Sequence, residues 1–184
     1  MAAPIFLLSG PPGAGKSTVA AALLRRFPHG LHLPVDDLRE LVVSGIAHPV
    51  PQWTAETTRQ FRLARQGAAH LAAMYAREGF AVAIDDIIMP DEVDRIFAPV
   101  FAGLGFYRVL LLPSVETALQ RNRERTSKPF DTSVLIGTIR ELHQVFRSLA
   151  IPADWAVIES SQLTVEGSVE AILTFANPSL GRKK

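Results

Sequence analysis

Gly10-Pro11-Pro12-Gly13-Ala14-Gly15-Lys16-Ser17 sets glycine, lysine and a hydroxyl at the spacing G-x-x-x-x-G-K-[ST]. An apolar run, Ile5 to Leu8, leads into it, and an amphipathic stretch follows. Each residue type answers a chemical need. Gly13 and Gly15 let the backbone turn sharply and approach anionic oxygens with no Cβ in the way. Pro11 and Pro12 carry no amide proton, so the donors must be the amides of Gly13, Ala14, Gly15, Lys16, Ser17 and Thr18. The positive end of the following helix adds to them. Such a loop holds phosphate. Lys16 would bridge the β- and γ-phosphates of a nucleoside triphosphate, and the Ser17 hydroxyl would ligate Mg²⁺.

Two acidic pairs extend the chemistry. "AIDDIIMP" places Asp85 and Asp86 where a strand ends, the edge at which doubly wound sheets bind ligands. Asp85 reads as the carboxylate that holds Mg²⁺, directly or through water. Asp86 is a candidate for substrate contact, and capping of the next turn is the structural alternative for both. "LPVDDLREL" places Asp36 and Asp37 at the close of another strand. There a carboxylate can deprotonate a substrate hydroxyl, or it can cap a helix. Arg39, one turn on, is an acceptor anchor or a solvated side chain.

"LQRNRERTSKPF" crowds Arg121, Arg123, Arg125 and Lys128 into one helix end and the connection after it. This cluster suits a lid, about residues 121–131, that neutralises charge on a transferring phosphoryl group. An exposed basic helix end is the alternative.

The elements that must position these groups alternate along the chain. Apolar runs at 4–9, 31–35, 80–85, 106–112 and 154–159 predict five buried strands, rich in Val, Ile, Leu and Phe. Helical patterns lie near 16–26, 37–45, 54–78, 91–102, 114–126, 132–149 and 164–176. Thr54 and Gly79 bracket the longest, and Asp131 or Thr132 is positioned to cap the sixth. Strand-helix alternation predicts right-handed crossovers and an α/β doubly wound sheet in one domain spanning 1–184.

Composition narrows the class. In 184 residues, 48% are hydrophobic and 20% charged, which is a globular balance. Nineteen Lys and Arg against 18 Asp and Glu leave a net charge of +1, so nothing global draws long nucleic acid or an acidic membrane. There are no cysteines, hence no disulfide or thiolate chemistry. No run approaches the roughly 18 apolar residues of a membrane helix, and a cytoplasmic protein is expected. A GTPase is disfavoured by the lack of N-K-x-D, and a motor or AAA+ machine by size.

With these residues assembled, the chain resembles the small P-loop kinases of the nucleoside-monophosphate-kinase-like group, which includes shikimate, gluconate and adenylate kinases. It is most similar to chloramphenicol phosphotransferase-like proteins, through Val35-Asp36-Asp37-Leu38 and Ile84-Asp85-Asp86. The resemblance implies a three-layer α/β/α P-loop NTPase fold with a parallel sheet ordered 2-3-1-4-5. It implies ATP and Mg²⁺, and a hydroxyl acceptor for which Asp36 is the base. The lid resembles that of shikimate kinase, which implies Arg121 near adenine and Lys128 on phosphate, a lysine where arginine is usual, with Arg125 as the alternative. "ESSQ" resembles the segment beside adenine, implying Ser160, Ser161 and Gln162. The acceptor wall is expected from residues 37–78, where Trp53 can stack on a ring or pack, and Arg62 can bind an anion. His48, Pro49 and Pro51 mark an irregular loop there.

The function expected is transfer of the γ-phosphate of ATP to a small-molecule hydroxyl. A nucleotide or polynucleotide kinase shares every motif, and a non-catalytic ATP-binding module is the non-enzyme alternative.

Overall fold

The computed structural model describes residues 2–50, 52–124 and 132–176. Five strands form one parallel sheet: β1 Ile5–Ser9, β2 Gly30–Pro34, β3 Ala81–Asp85, β4 Phe106–Leu111 and β5 Trp155–Ile158. Their order is β2-β3-β1-β4-β5, the order that the resemblance implied. The central strand β1 shows why these runs are apolar throughout. Ile5 and Leu7 point to one face and Phe6 and Leu8 to the other, and all four are fully buried.

Helices cover both faces. α1 (Lys16–Leu24) and α7 (Val165–Ala176) pack with Phe6, Leu8, Val109 and Leu111. α3 (Ala55–Arg77), α4 (Pro90–Ile96) and α6 (Ile136–Ser148) pack with Ile5, Leu7, Ile84 and Leu110. α2 (Val35–Glu40) follows β2 directly, and α5 (Val115–Arg123) follows β4.

Both ends of α3, which walls the crevice, are set by local hydrogen bonds. Thr54 caps its start, accepting from the Thr57 amide, while the Thr57 hydroxyl takes the Thr54 amide. At its finish Gly79 adopts φ +87°. The Gly79 amide donates to Ala76 and the Phe80 amide to Tyr75, with the Tyr75 and Phe80 rings edge to face at 5.3 Å. That double bond with its flanking apolar contact is a Schellman stop.

Three helices depart from expectation. The second ends at Glu40 instead of 45, because the chain turns away to Gly45, which has φ +76°. The fourth stops at Ile96 and continues as turns to Leu104. The sixth begins at Ile136 after a 3₁₀ turn, Thr132–Leu135, and no side chain caps it. Thr132 instead donates its hydroxyl to the Asn122 carbonyl, and Asn122 Nδ2 returns a bond to the Thr132 carbonyl. Asp131, the other proposed cap, lies outside the described residues.

Candidate active site

The carboxyl ends of β1, β2 and β3 open into a crevice of about 2120 Å³. The loop Gly10–Gly15 joins β1 to α1 at its floor. Gly13 (φ +80°) leaves no room for a side chain, since a Cβ there would stand 2.2 Å from the Ala118 carbonyl oxygen of α5. The glycine expected to admit a phosphate thus also lets the loop dock on α5. Gly15, at φ +90°, forms the amino-terminal boundary of α1. Lys16 Nζ lies 2.8 Å from the Gly10 carbonyl and 3.1 Å from that of Pro11, which holds the ammonium over the loop. The Ala14 amide donates to the Pro11 carbonyl at 3.2 Å, so the amides of Gly13 and of Gly15 to Thr18, with the helix end and Lys16, form the concentration of donors that suits a polyphosphate.

Asp85 sits in register with Leu8 of β1 and Pro34 of β2, one residue short of the phosphate loop. Its Oδ2 meets His32 Nε2 at 2.6 Å. Burial pushes this carboxyl up, but the His32 bond, the Lys16 charge and the Ser17 hydroxyl outweigh it and hold the group below the usual aspartate range. Ser17 and Asp85 therefore form a hard-oxygen pair beside Lys16, which fits a Mg²⁺ ion that draws its other ligands from phosphate and water. Among the described residues no three carboxylate or imidazole groups cluster as a self-sufficient metal site.

Asp86, adjacent in sequence, takes a different partner. Its Oδ2 accepts from Arg65 Nε at 2.6 Å and its Oδ1 from the Ile87 amide at 2.7 Å. Arg65 Nη1 also reaches both oxygens of Glu92 at 3.1 Å, and Nη2 the Ile87 carbonyl at 2.9 Å. Burial pushes the Asp86 carboxyl up, against the pull of Arg65 and the Ile87 amide. Ser9 ties this segment to β1, donating its hydroxyl to the Ile88 carbonyl at 2.7 Å and accepting from the Ile88 amide.

Asp36 and Asp37 occupy the first turn of α2 and line the crevice, and neither side chain caps the helix, whose N-cap is Pro34. Arg39 also lines it but is 4% exposed, with Nη1 on the Ala47 carbonyl at 3.0 Å and its guanidinium 4.8 Å over the Phe61 ring. Gln60 clamps the same loop to α3, donating to the Gly45 carbonyl and accepting from the Ala47 amide. Trp53 stacks on Phe61 at 5.1 Å, donates to the Thr58 hydroxyl, and stays 52% exposed in the crevice lining.

At the opposite end, Arg121 reaches back over the loop, donating to the Ala14 carbonyl at 3.5 Å and the Ser160 carbonyl at 2.9 Å. Ser160 lines the crevice with Leu163, Thr164, Val165 and Ser168. Ser161 instead accepts from the Ser114 amide. Gln162 does not line the crevice.

The structure thus brings Lys16, Ser17, Asp36, Asp85, Asp86, Arg39 and Arg121 to one crevice. It does not bring Arg62, which is exposed on α3 and outside the lining. Arg125, Lys128 and Pro51 lie outside the described residues. Sequence reasoning missed His32, Arg65 and Glu92. Arg65 was findable, since it falls four residues after Phe61 and three before Ala68 on the apolar stripe of α3.

Sheet order, phosphate loop and the placement of both aspartate pairs define a P-loop protein with the fold of the small kinases. The chain belongs to the AAA domain family, whose model matches residues 5–159, from β1 to the residue after β5. It is 32% identical over 135 residues to a cytidylate kinase of Pseudomonas paraeruginosa, covering 70% of this chain and 54% of that protein. The chain therefore spans about half the length of that relative. The tunicamycin resistance protein of Deinococcus radiodurans superposes with a TM-score of 0.62 at 20% identity, covering 94% of each chain. The APS kinase of Mycobacterium tuberculosis, solved with AMPPNP and APS, superposes with a TM-score of 0.64 at 13% identity, covering 95% of this chain and 97% of that one. Among the described residues no helix is long and apolar enough to cross a membrane.

Proposed function

We propose that the chain is an ATP-dependent phosphotransferase that moves the γ-phosphoryl group of ATP to a hydroxyl of a small molecule. The observation that carries this reading is that Asp36 shares one crevice with the phosphate loop and Asp85. In this reading the amides of Gly13 and of Gly15 to Thr18 cradle the phosphates and Lys16 spans the β and γ groups. Ser17 and Asp85 would hold Mg²⁺, which when bound would supply positive charge against that of the phosphates. Asp36 accepts the proton of the acceptor hydroxyl as that oxygen forms its bond to the γ-phosphorus. The bond from the γ-phosphorus to the β–γ bridging oxygen breaks, and ADP leaves. Arg121 serves the nucleotide end, with Arg125 and Lys128 assigned to the lid from sequence. Positioning and charge neutralisation supply most of the rate, since phosphoryl transfer asks little covalent work of the protein.

A nucleotide kinase is the second reading, favoured by the identity to cytidylate kinase. The test is ATP consumption with Mg²⁺ against pooled hydroxyl acceptors and nucleoside monophosphates, with wild type and Asp36→Asn side by side. Turnover stimulated by one pool and lost in the variant, with ATP binding intact, is expected. Stimulation unchanged by Asp36→Asn removes the base. ATP binding without stimulation by any pool favours a non-catalytic module.

A further inference from the structure

The acceptor end of the crevice, between α2 and the first half of α3, has a charge balance that bears on what can enter it. The inference rests on the kinase reading above. Asp36, Asp37 and Glu40 of α2 line this end, together with Asp86 and Glu92. Arg65 neutralises Asp86 and Glu92, which leaves the exposed Asp36, Asp37 and Glu40 of α2, and the other guanidinium at this end among the described residues, Arg39, is only 4% exposed. Arg65 is consumed by Asp86, Glu92 and the Ile87 carbonyl. Arg39 lies over the Phe61 ring and donates to the Ala47 carbonyl, and its Nε is buried. Lys16 and Arg121 belong to the phosphate loop and its far side. His48 lines this end as well. A phosphate or carboxylate on the acceptor would meet the like charge of Asp36, Asp37 and Glu40 with no exposed guanidinium of this end, among the described residues, to receive it.

The second feature is Trp53. One neighbour, Phe61, stacks on it at 5.1 Å and 18°, and its indole N–H is satisfied by Thr58. What the half-exposed ring adds to the crevice is an aromatic surface beside carboxylates. Flat apolar groups stack on such a surface, and cations are drawn to it by the ring quadrupole.

We propose that the acceptor is a hydroxyl compound without an anionic group, either uncharged or amine-bearing, with its flat or apolar face on Trp53. Two measurements test it. The first reads the crevice directly, by quenching tryptophan fluorescence with caesium and with iodide. Trp155 is 6% exposed, so Trp53 carries the accessible emission. With each quencher referenced to free tryptophanamide, caesium should quench at least about twofold better than iodide. Asp37→Asn with Glu40→Gln should bring that ratio toward one, and Trp53→Phe should remove the accessible component. A ratio that favours iodide overturns the proposal.

The second compares acceptors that keep the same hydroxyls and differ in charge: methyl shikimate against shikimate, and methyl gluconate and glucosamine against gluconate. Any acceptor that stimulates ATP turnover should show kcat/KM at least about tenfold above its anionic counterpart. An anionic acceptor that outperforms its counterpart overturns the proposal and leaves the kinase reading standing. Absence of stimulation by every compound counts against the kinase reading instead, and the quenching ratio then decides the charge of the crevice.

Discussion

Arg65 Nε stands 2.6 Å from Asp86 Oδ2, with the two side chains only 6% and 3% exposed. The pair fixes α3, which lines the crevice, to the end of β3, which carries Asp85 beside the phosphate loop. Breaking one member of such a buried pair strands the other without a counter-charge. Arg65→Leu and Asp86→Asn should therefore each destabilise by about 3 kcal/mol, read from urea unfolding. The double variant should cost clearly less than the sum, because the residues share one interaction. Additive costs would show that the two groups do not act on each other.

Gly13 and Gly45 separate two uses of glycine. Both have positive φ, +80° and +76°, but a Cβ at Gly13 would collide with the Ala118 carbonyl, whereas Gly45 has nothing within 4 Å. Gly45→Ala should thus cost about 1 kcal/mol, the conformational term alone. Gly13→Ala must also push the loop off α5, and should cost at least about 2 kcal/mol and weaken ATP binding more than tenfold. Denaturation and nucleotide titration of both variants check this. Equal costs would mean that the loop yields freely.

The phosphate loop and the sheet were legible because they depend on local pattern. β1 is apolar on both faces, as a strand covered by helices must be, and Thr54 and Gly79 announce the ends of α3 in their own residue types. The partners of the two aspartates depend on geometry between elements. His32 reaches Asp85 because β2 pairs with β3 in a register that sets Pro34 beside Asp85. Nothing in "LHLP" states that pairing. Arg62 and Arg65 are a helical phase apart, and the phase that turns Phe61 inward carries Arg65 into the crevice and Arg62 to solvent. The shorter α2 reflects the same limit, since Gln60 and Phe61 of α3 hold Gly45, Ala47 and Trp53 of the connection that follows it.

His32 should act on Mg²⁺ through Asp85. A partner that orients a metal-binding carboxylate typically contributes 10- to 100-fold in metal affinity. His32→Leu should raise the Mg²⁺ concentration for half-maximal ATP turnover by about tenfold. Binding of metal-free ATP should change little, since the loop amides and Lys16 are untouched. Loss of both in parallel would point to disrupted folding of β2, and His32→Asn, which keeps a donor, should then fail to rescue.

Asp85 also ties stability to pH. Burial acts to raise its pKa, and the larger combined pull of His32, Lys16 and Ser17 leaves it lowered. A carboxyl with a lowered folded value binds protons more readily in the unfolded chain. Its contribution is therefore complete above the unfolded value, about 4, and is lost as pH falls through the folded one. Wild type should exceed Asp85→Asn in unfolding free energy at neutral pH, and the gap should narrow as the pH drops below about 4. Chemical unfolding of both proteins across that range provides the check. A gap that widens toward acid would reverse the sign assigned to Asp85 and remove His32 and Lys16 as its dominant partners.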